Sequence, residues 1–528
     1  MLSLLVYAVA AFLQLAFAKP ISSDVTVRAS TGYYAGQINA NYSNVREFLN
    51  VPYGQSTAGN NRFKPPVPVP MSSRHFDATE YPPLCPQYVS RLPSAWNQEI
   101  PQYLMYTGPS HNFSLGMSNP FSTEDCLSLA IWTPANATSE DRLPVALFWT
   151  GGGFQTNGIL VPAQLPPHWV SRSQSHIVVT INYRMNIMGF PNAAGVYDQN
   201  LGILDQRLSL EWVRDNIHYF GGDPSRIMLW GQSAGAASVD YHNYAYWENP
   251  IAHAVFAESG SAISGRGVNA DWDHTNFTFV AKNVGCDYPN DAAKELQCMQ
   301  KVDYNSIINF MGQYQDNSST NANQAHLSFA TVPDERVIFS NYTTRYTSGM
   351  VSKVPVIYSS VANEAGTLSP FPVDDPAKGI NQTAANEMTL GFAICPGWQS
   401  SVLRHSIGLP TYRYQYAGNW TNQDPLPWMG AYHSSDLVML FGTYNDGVKP
   451  STQPLEARTS EAMQDLVLAF MKDPYNGPPA MGWPQFDPTG PNGGTMLMFG
   501  ADGKAVQKVT GDEVEGACYG KGTYNAFP

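Results

Sequence analysis

The chain has 528 residues, 43% of them hydrophobic and only 13% charged, a balance that supports a large buried core and excludes an intrinsically disordered polymer. Its formal net charge is −13 with no run of Lys or Arg, which excludes nucleic acid or another polyanion as a partner, because neutralising phosphates takes clustered cations. The 40 Pro and 43 Gly imply many long, shaped loops.

Residues 2–17 are almost all apolar, broken by Gln14, and Ala16-Phe17-Ala18 supplies the small residues of a signal-peptidase site. The pattern predicts a secretory leader over 1–18 and a mature, extracellular protein that begins at Lys19 and forms one domain to residue 528. An uncleaved anchor is the other reading of this run, which is short for a membrane span. No later stretch reaches the roughly 18 continuous apolar residues a spanning helix needs, so no stable membrane span is expected. Eight Asn-x-Ser/Thr sequons, at Asn41, Asn112, Asn136, Asn276, Asn317, Asn341, Asn381 and Asn419, point to an exported glycoprotein. The six cysteines, an even number, suit disulfides in an oxidising compartment, and spacing alone leaves their pairing open.

Residues 144–149 and 177–181 are apolar runs, the second rich in β-branched side chains, as strands buried on both faces of a parallel sheet require. Leu210, Val213, Ile217 and Phe220 recur at helical spacing and mark one face of an amphipathic helix, which Gly221-Gly222-Asp223-Pro224 ends. Residues 226–230 read as the next strand. Further strands are expected at 253–257, 354–358, 411–416 and 496–499, and a helix at 457–472. Strands alternating with helices predict an α/β architecture: a large, mostly parallel central sheet flanked by helices, with the remaining length in long loop and helical insertions.

Gly231-Gln232-Ser233-Ala234-Gly235 follows the strand at 226–230 and precedes small residues suited to opening a helix. This strand–turn–helix setting makes Gly-x-Ser-x-Gly a nucleophile elbow, in which the glycines permit a sharp turn and Ser233 is presented at the sheet edge. The helix start offers free N–H groups beside it. Gly151-Gly152-Gly153-Phe154 follows the strand at 144–149, where exposed backbone donors can face a tetrahedral oxyanion. A serine hydroxyl needs a base. The chain order of this arrangement, serine then acid then histidine, leaves His326, His405 and His433 as candidates.

Asn182-Tyr183-Arg184, Asn200 to Arg207, Trp212 to Ile217, Phe220 to Pro224, Gly231 to Val239 and Glu124-Asp125-Cys126-Leu127 together resemble the type-B carboxylesterase/lipase family, the cholinesterase-like α/β-hydrolases, and within it the fungal secreted members. The resemblance runs from about residue 34 into the 460s and implies Ser233 as nucleophile. It implies Glu364 as the acid, although Ala365 stands where the family usually has Gly, which leaves Asp374 and Asp375 as the alternatives nearby. It implies His433, in Gly430-Ala431-Tyr432-His433-Ser434-Ser435-Asp436-Leu437, as the base. By the same resemblance the backbone N–H groups of Gly152, Gly153 and Ala234 form the oxyanion hole. Ser259 is then either a serine behind the triad or a turn residue. The resemblance also implies the disulfide Cys85–Cys126, closing a loop that often covers the active-site gorge, and Cys286–Cys298, which leaves Cys395 with Cys518. Trp96, Tyr103 and Tyr106 in the first loop either line the substrate entrance or simply pack.

Two departures stand out. Thr150 replaces the histidine that many members carry before the glycines, which backbone donors should tolerate. Gln232 replaces the usual Glu beside the serine, removing a negative charge and arguing against cationic choline esters. The implied reaction is hydrolysis of a small-molecule or lipid carboxylic ester through an acyl-enzyme on Ser233, with no metal or organic cofactor. The rivals are a lipase or a transacylase on the same triad, and a catalytically inactive binding protein that keeps only the fold.

Overall fold

The computed structural model describes residues 25–104, 116–264, 271–319, 324–446 and 453–528. The leader over 1–18, Tyr106 and the sequon at Asn112 lie outside the described residues. The strands, in chain order, are β1 (Thr26–Ala29), β2 (Gly32–Ala35), β3 (Gln37–Ile38), β4 (Val45–Pro52), β5 (His75–Asp77), β6 (Ser128–Pro134), β7 (Leu143–Trp149), β8 (Ile177–Ile181), β9 (Gly222–Gln232), β10 (Ala254–Glu258), β11 (Val356–Val361), β12 (Thr411–Tyr416), β13 (Thr495–Phe499) and β14 (Val506–Thr510). Three of them, β1, β2 and β5, form a small sheet, and the other eleven form one large sheet in the order β14-β13-β12-β11-β10-β9-β7-β8-β6-β4-β3. Every neighbouring pair from β13 to β8 is parallel. The flanking pairs are antiparallel, so the sheet is mixed, parallel in its middle and antiparallel at both edges. This is the α/β-hydrolase arrangement.

The continuous apolar runs follow from burial on both faces. In β7, Ala146 and Phe148 share one face with Met228 and Trp230 of β9 and Phe256 of β10. Val145, Leu147 and Trp149 join Leu229 and Val255 on the other. The Trp230 ring lies 4.5 Å from Phe148, 4.8 Å from Phe441 and 5.6 Å from Phe256. Truncating such a buried Trp to Ala costs about 3–5 kcal/mol.

Leu210, Val213, Ile217 and Phe220 are all buried, but they do not lie on one continuous α-helix. The helix Leu201–Asn216 gives way to a tighter 3₁₀ turn, Ile217–Phe220, which Gly221 ends at φ 98°. Eclipsing the last turn brings Phe220 onto Tyr34 and Phe48. Gly222, Asp223 and Pro224 belong not to the helix stop but to β9. Gly222 pairs with Leu143, the register then shifts, and regular pairing resumes at Val145 and Ile227. Pro224 thus occupies a bulge, where a missing N–H is tolerated. The segment expected at 411–416 coincides with β12, while β11 begins later than expected and runs on to Val361, delivering the chain to the turn that carries Glu364. The helix at the C-terminal side is Pro454–Lys472, with Pro454 in its first turn.

The helical insertion expected from the sequence, without a position, falls between β10 and β11. Helices Thr275–Asn283, Ala292–Met299 and Tyr304–Ser318 bury Phe277, Val280, Ile307 and Met311 against Ile187 and Met188. Disulfides join Cys85 to Cys126, Cys286 to Cys298 and Cys395 to Cys518. Among the described residues no helix is long and apolar enough to cross a membrane.

Candidate active site

The sequence Gly231-Gln232-Ser233-Ala234-Gly235 makes the turn from β9 into the helix Ala234–Ala245. Ser233 adopts φ 58° and ψ −120°, a conformation that costs of order 1–3 kcal/mol for a residue with a side chain. Its N–H donates to the Glu258 carbonyl at the end of β10 at 2.9 Å, which helps hold the turn. Glycine is obligatory on either side. A Cβ on Gly231 would stand 2.2 Å from the Gly235 carbonyl oxygen, and one on Gly235 would stand 1.9 Å from that of Trp149. Ala234 opens the helix, so its N–H is among those with no partner within the helix.

The glycine segment Gly151-Gly152-Gly153 leaves β7 beside this turn. Two motif residues brace its start and the chain that follows it. Tyr183 Oη donates to the Thr150 carbonyl at 2.9 Å. Asn182 accepts from the Ile159 N–H at 2.9 Å and donates to the Pro83 carbonyl at 3.0 Å. The next residue, Arg184, forms a two-pronged buried ion pair with Asp205 at 2.7 and 2.8 Å. Arg62 does the same with Glu124 at 2.6 Å for both prongs. The signature segments around 124, 184 and 205 therefore act as scaffold rather than chemistry. Thr150 Oγ1 donates to Gln164 Oε1 at 2.8 Å, which occupies its side chain away from the glycine donors.

Glu364, in the turn after β11, is fully buried. Its Oε2 meets His433 Nδ1 at 2.5 Å, and its Oε1 accepts the Val361 N–H at 3.0 Å. Asp374 and Asp375 are exposed and have no part in this contact. Asn363 ties the two loops together: its N–H donates to the Ala431 carbonyl at 2.8 Å and its side chain to Trp428 and Met429 carbonyls at 2.9 and 2.8 Å. His405 instead faces Asp487 at 3.6 Å on the surface, and His326 faces Ser318 at 3.1 Å.

Ser233, His433, Gly152 and Gly153 line one cavity of about 440 Å³. His433 Nε2 is 3.1 Å from the side-chain nitrogen of Gln232, whereas no hydrogen bond joins it to Ser233 Oγ in this arrangement. With Nδ1–H directed at Glu364, Nε2 is the ring acceptor, and the Gln232 amide donates to it. Sequence had marked Gln232 as a charge lost, not as a partner of the histidine. Phe392, which sequence did not single out, sets its ring edge-on to His433 at 5.2 Å. It sits in a π-helical turn, Leu390–Ile394, between two helices, a local widening common at functional sites.

Tyr88, Trp96 and Tyr103 supply the aromatic wall, and Asn97, Gln155, Asn157 and Gln164 the amides. Tyr103 does both things expected of it: it lines the cavity and packs edge-on against Trp96 and Tyr432. Burial raises the Tyr103 and Tyr432 phenols above their ordinary range, so they present hydroxyls rather than phenolates. Ser259 follows β10 at φ 58°, buried, with its hydroxyl unpaired.

The family model described as "Carboxylesterase family" matches residues 23–392. The chain belongs to the carboxylesterase family. Over 510 residues it is 38% identical to a chlorogenic acid esterase of Aspergillus niger, covering 93% of each chain. Over 527 residues it is 35% identical to a secreted lipase of Gibberella zeae, covering 95% of each. This carboxylesterase is thus an enzyme that hydrolyses carboxylic esters. The matched region contains Ser233 and Glu364, and His433 lies beyond its end.

Proposed function

We propose that the chain, as one domain, cleaves a compact neutral ester through an acyl-enzyme on Ser233, outside the cell. The supporting observation is the Glu364–His433 pair at 2.5 Å, which opens onto the same cavity wall as a serine held at φ 58°. His433 Nε2 exchanges the Gln232 amide for the Ser233 hydroxyl and takes its proton as Oγ attacks the ester carbonyl. Glu364 keeps Nδ1 protonated and stabilises the imidazolium. The oxyanion settles against the N–H groups of Gly152, Gly153 and Ala234, each of which contributes about 3 kcal/mol of transition-state stabilisation in such sites. The alcohol departs with the proton from His433, and water repeats the cycle to free the acid.

Aside from His433, the cavity lining is uncharged, which favours neutral esters over choline esters. Aromatic walls studded with amides suit an acyl group that combines a ring with hydroxyls, in keeping with the relative named for chlorogenic acid. A long triglyceride chain would leave these amides without partners. The test is a panel of p-nitrophenyl esters of graded acyl length with chlorogenic acid and emulsified triglyceride, run alongside Ser233→Ala. The expected result is a burst of p-nitrophenol stoichiometric with enzyme, preference for short or aryl acyl groups, and loss of about 10⁶-fold in kcat in the variant. Undiminished turnover by Ser233→Ala would overturn the assignment of the nucleophile.

Asn41, Asn136, Asn317, Asn341, Asn381 and Asn419 are exposed and suit glycosylation. Asn276 is half-buried with its side-chain nitrogen donating to the Ser328 carbonyl at 3.2 Å, which disfavours it in the folded chain.

A further inference from the structure

Near His433, and outside the cavity lining, are two carboxyl groups that the reaction above does not use. Glu258 ends β10 and Asp436 lies three residues after His433; both are fully buried. Glu258 Oε2 accepts from Trp230 Nε1 at 2.7 Å, and Tyr414 Oη lies 3.4 Å from Asp436 Oδ2. The remaining oxygens, Glu258 Oε1 and Asp436 Oδ1, are buried without a well-formed hydrogen bond; the two side chains interact with each other, and the Asp436 carboxyl also feels its own backbone N–H. The ionisable groups acting on the pair from neighbouring elements are Glu364, His433, Tyr414 and Tyr103, none of them a fixed cation. Two acceptor-only carboxylates cannot satisfy each other, but one carboxylic acid and one carboxylate can.

We propose that Glu258 and Asp436 share a single proton and act together as positioning residues that clamp the His433 loop to the strand end supporting Ser233. The main chain of Glu258 already holds the Ser233 N–H, so the shared proton links both halves of the catalytic apparatus. Asp436 is the carboxylate of the pair and Glu258 the acid. Burial raises both above the ordinary carboxyl range, and the charge on Asp436 raises Glu258 further. Because the folded values are raised, the native state binds more protons than the unfolded chain. The stabilisation is therefore full at low pH and lost as pH rises through the folded values. Loss of the shared proton leaves two like charges in a dry site and loosens the loop.

Glu258→Gln replaces the removable proton with a permanent amide N–H directed at Asp436, while its carbonyl oxygen still accepts from Trp230. The proposal predicts that Glu258→Gln keeps near-native kcat/KM at neutral pH. It also predicts that the alkaline fall in both kcat and Tm shifts upward by about one pH unit. Asp436→Asn should move the Tm curve in the same direction, whereas Glu258→Ala should lower kcat about tenfold at every pH with little change in KM. Alkaline limbs of Glu258→Gln and Asp436→Asn that superimpose on the wild type would overturn the idea, as would a Glu258→Gln enzyme as impaired as Glu258→Ala. The activity arm rests on Ser233 being the nucleophile. The Tm arm is read without substrate, so it fails or succeeds independently of that reading.

Discussion

The floor of the cavity is set by main-chain geometry, its roof by one disulfide and one buried carboxylate. On the floor, Ser233 is fixed by its φ of 58°, by the flanking glycines and by a bond to the Glu258 carbonyl. The roof, around residues 88–104, hangs on Cys85–Cys126 and on Asp316 of the helical insertion. Asp316 accepts from Ser90 Oγ at 2.5 Å and from the Arg91 N–H at 3.0 Å. Under the proposed mechanism the contrast assigns tasks: the floor carries bond cleavage, and the roof carries the choice of ester. A floor defect should therefore appear in kcat, and a roof defect in KM.

Glu364→Gln is the severest way to sharpen that division short of removing the nucleophile. It keeps the shape of the floor but reverses the tautomer of His433, and kcat should drop about 10⁴-fold; stopped-flow acylation rates with an activated ester check this. Trp96→Ala opens the roof instead. Its expected signature is a KM for aryl esters raised about three- to tenfold while kcat holds, as loss of an aromatic contact implies; a fall confined to kcat would erase the distinction. Gln232→Glu sits at the boundary and should have the smallest effect. A carboxylate beside Nε2 favours the imidazolium, and the reaction needs the neutral ring. The acid limb of kcat/KM should consequently move to higher pH by about one unit, as read from a pH–rate profile.

The floor was far more legible in the sequence than the roof. Residues 144–149 and 227–230 are continuous apolar runs, and the motif between β9 and its helix is local, so period and glycine placement were enough. Asp223 and Pro224 misled because a bulge inside a strand uses the same residues as a helix stop. The roof comes from segments joined by a disulfide and by a helix some two hundred residues away, contacts with no local periodicity. Gln232 was visible as an oddity, yet its bond to His433 depends on how two distant turns meet. The Glu258–Asp436 contact is hidden for the same reason: each acid taken alone reads as an ordinary polar residue next to a motif.

Asn363 has a mechanical consequence. Because its main chain and side chain are both bound to the 428–431 segment, the acid and the base form a single rigid arm. In the proposed reaction Glu364 and His433 therefore travel together, and the step left to substrate binding is the exchange of the Gln232 amide for the Ser233 hydroxyl at Nε2. The proposed proton relay thus has one movable joint, on the cavity wall.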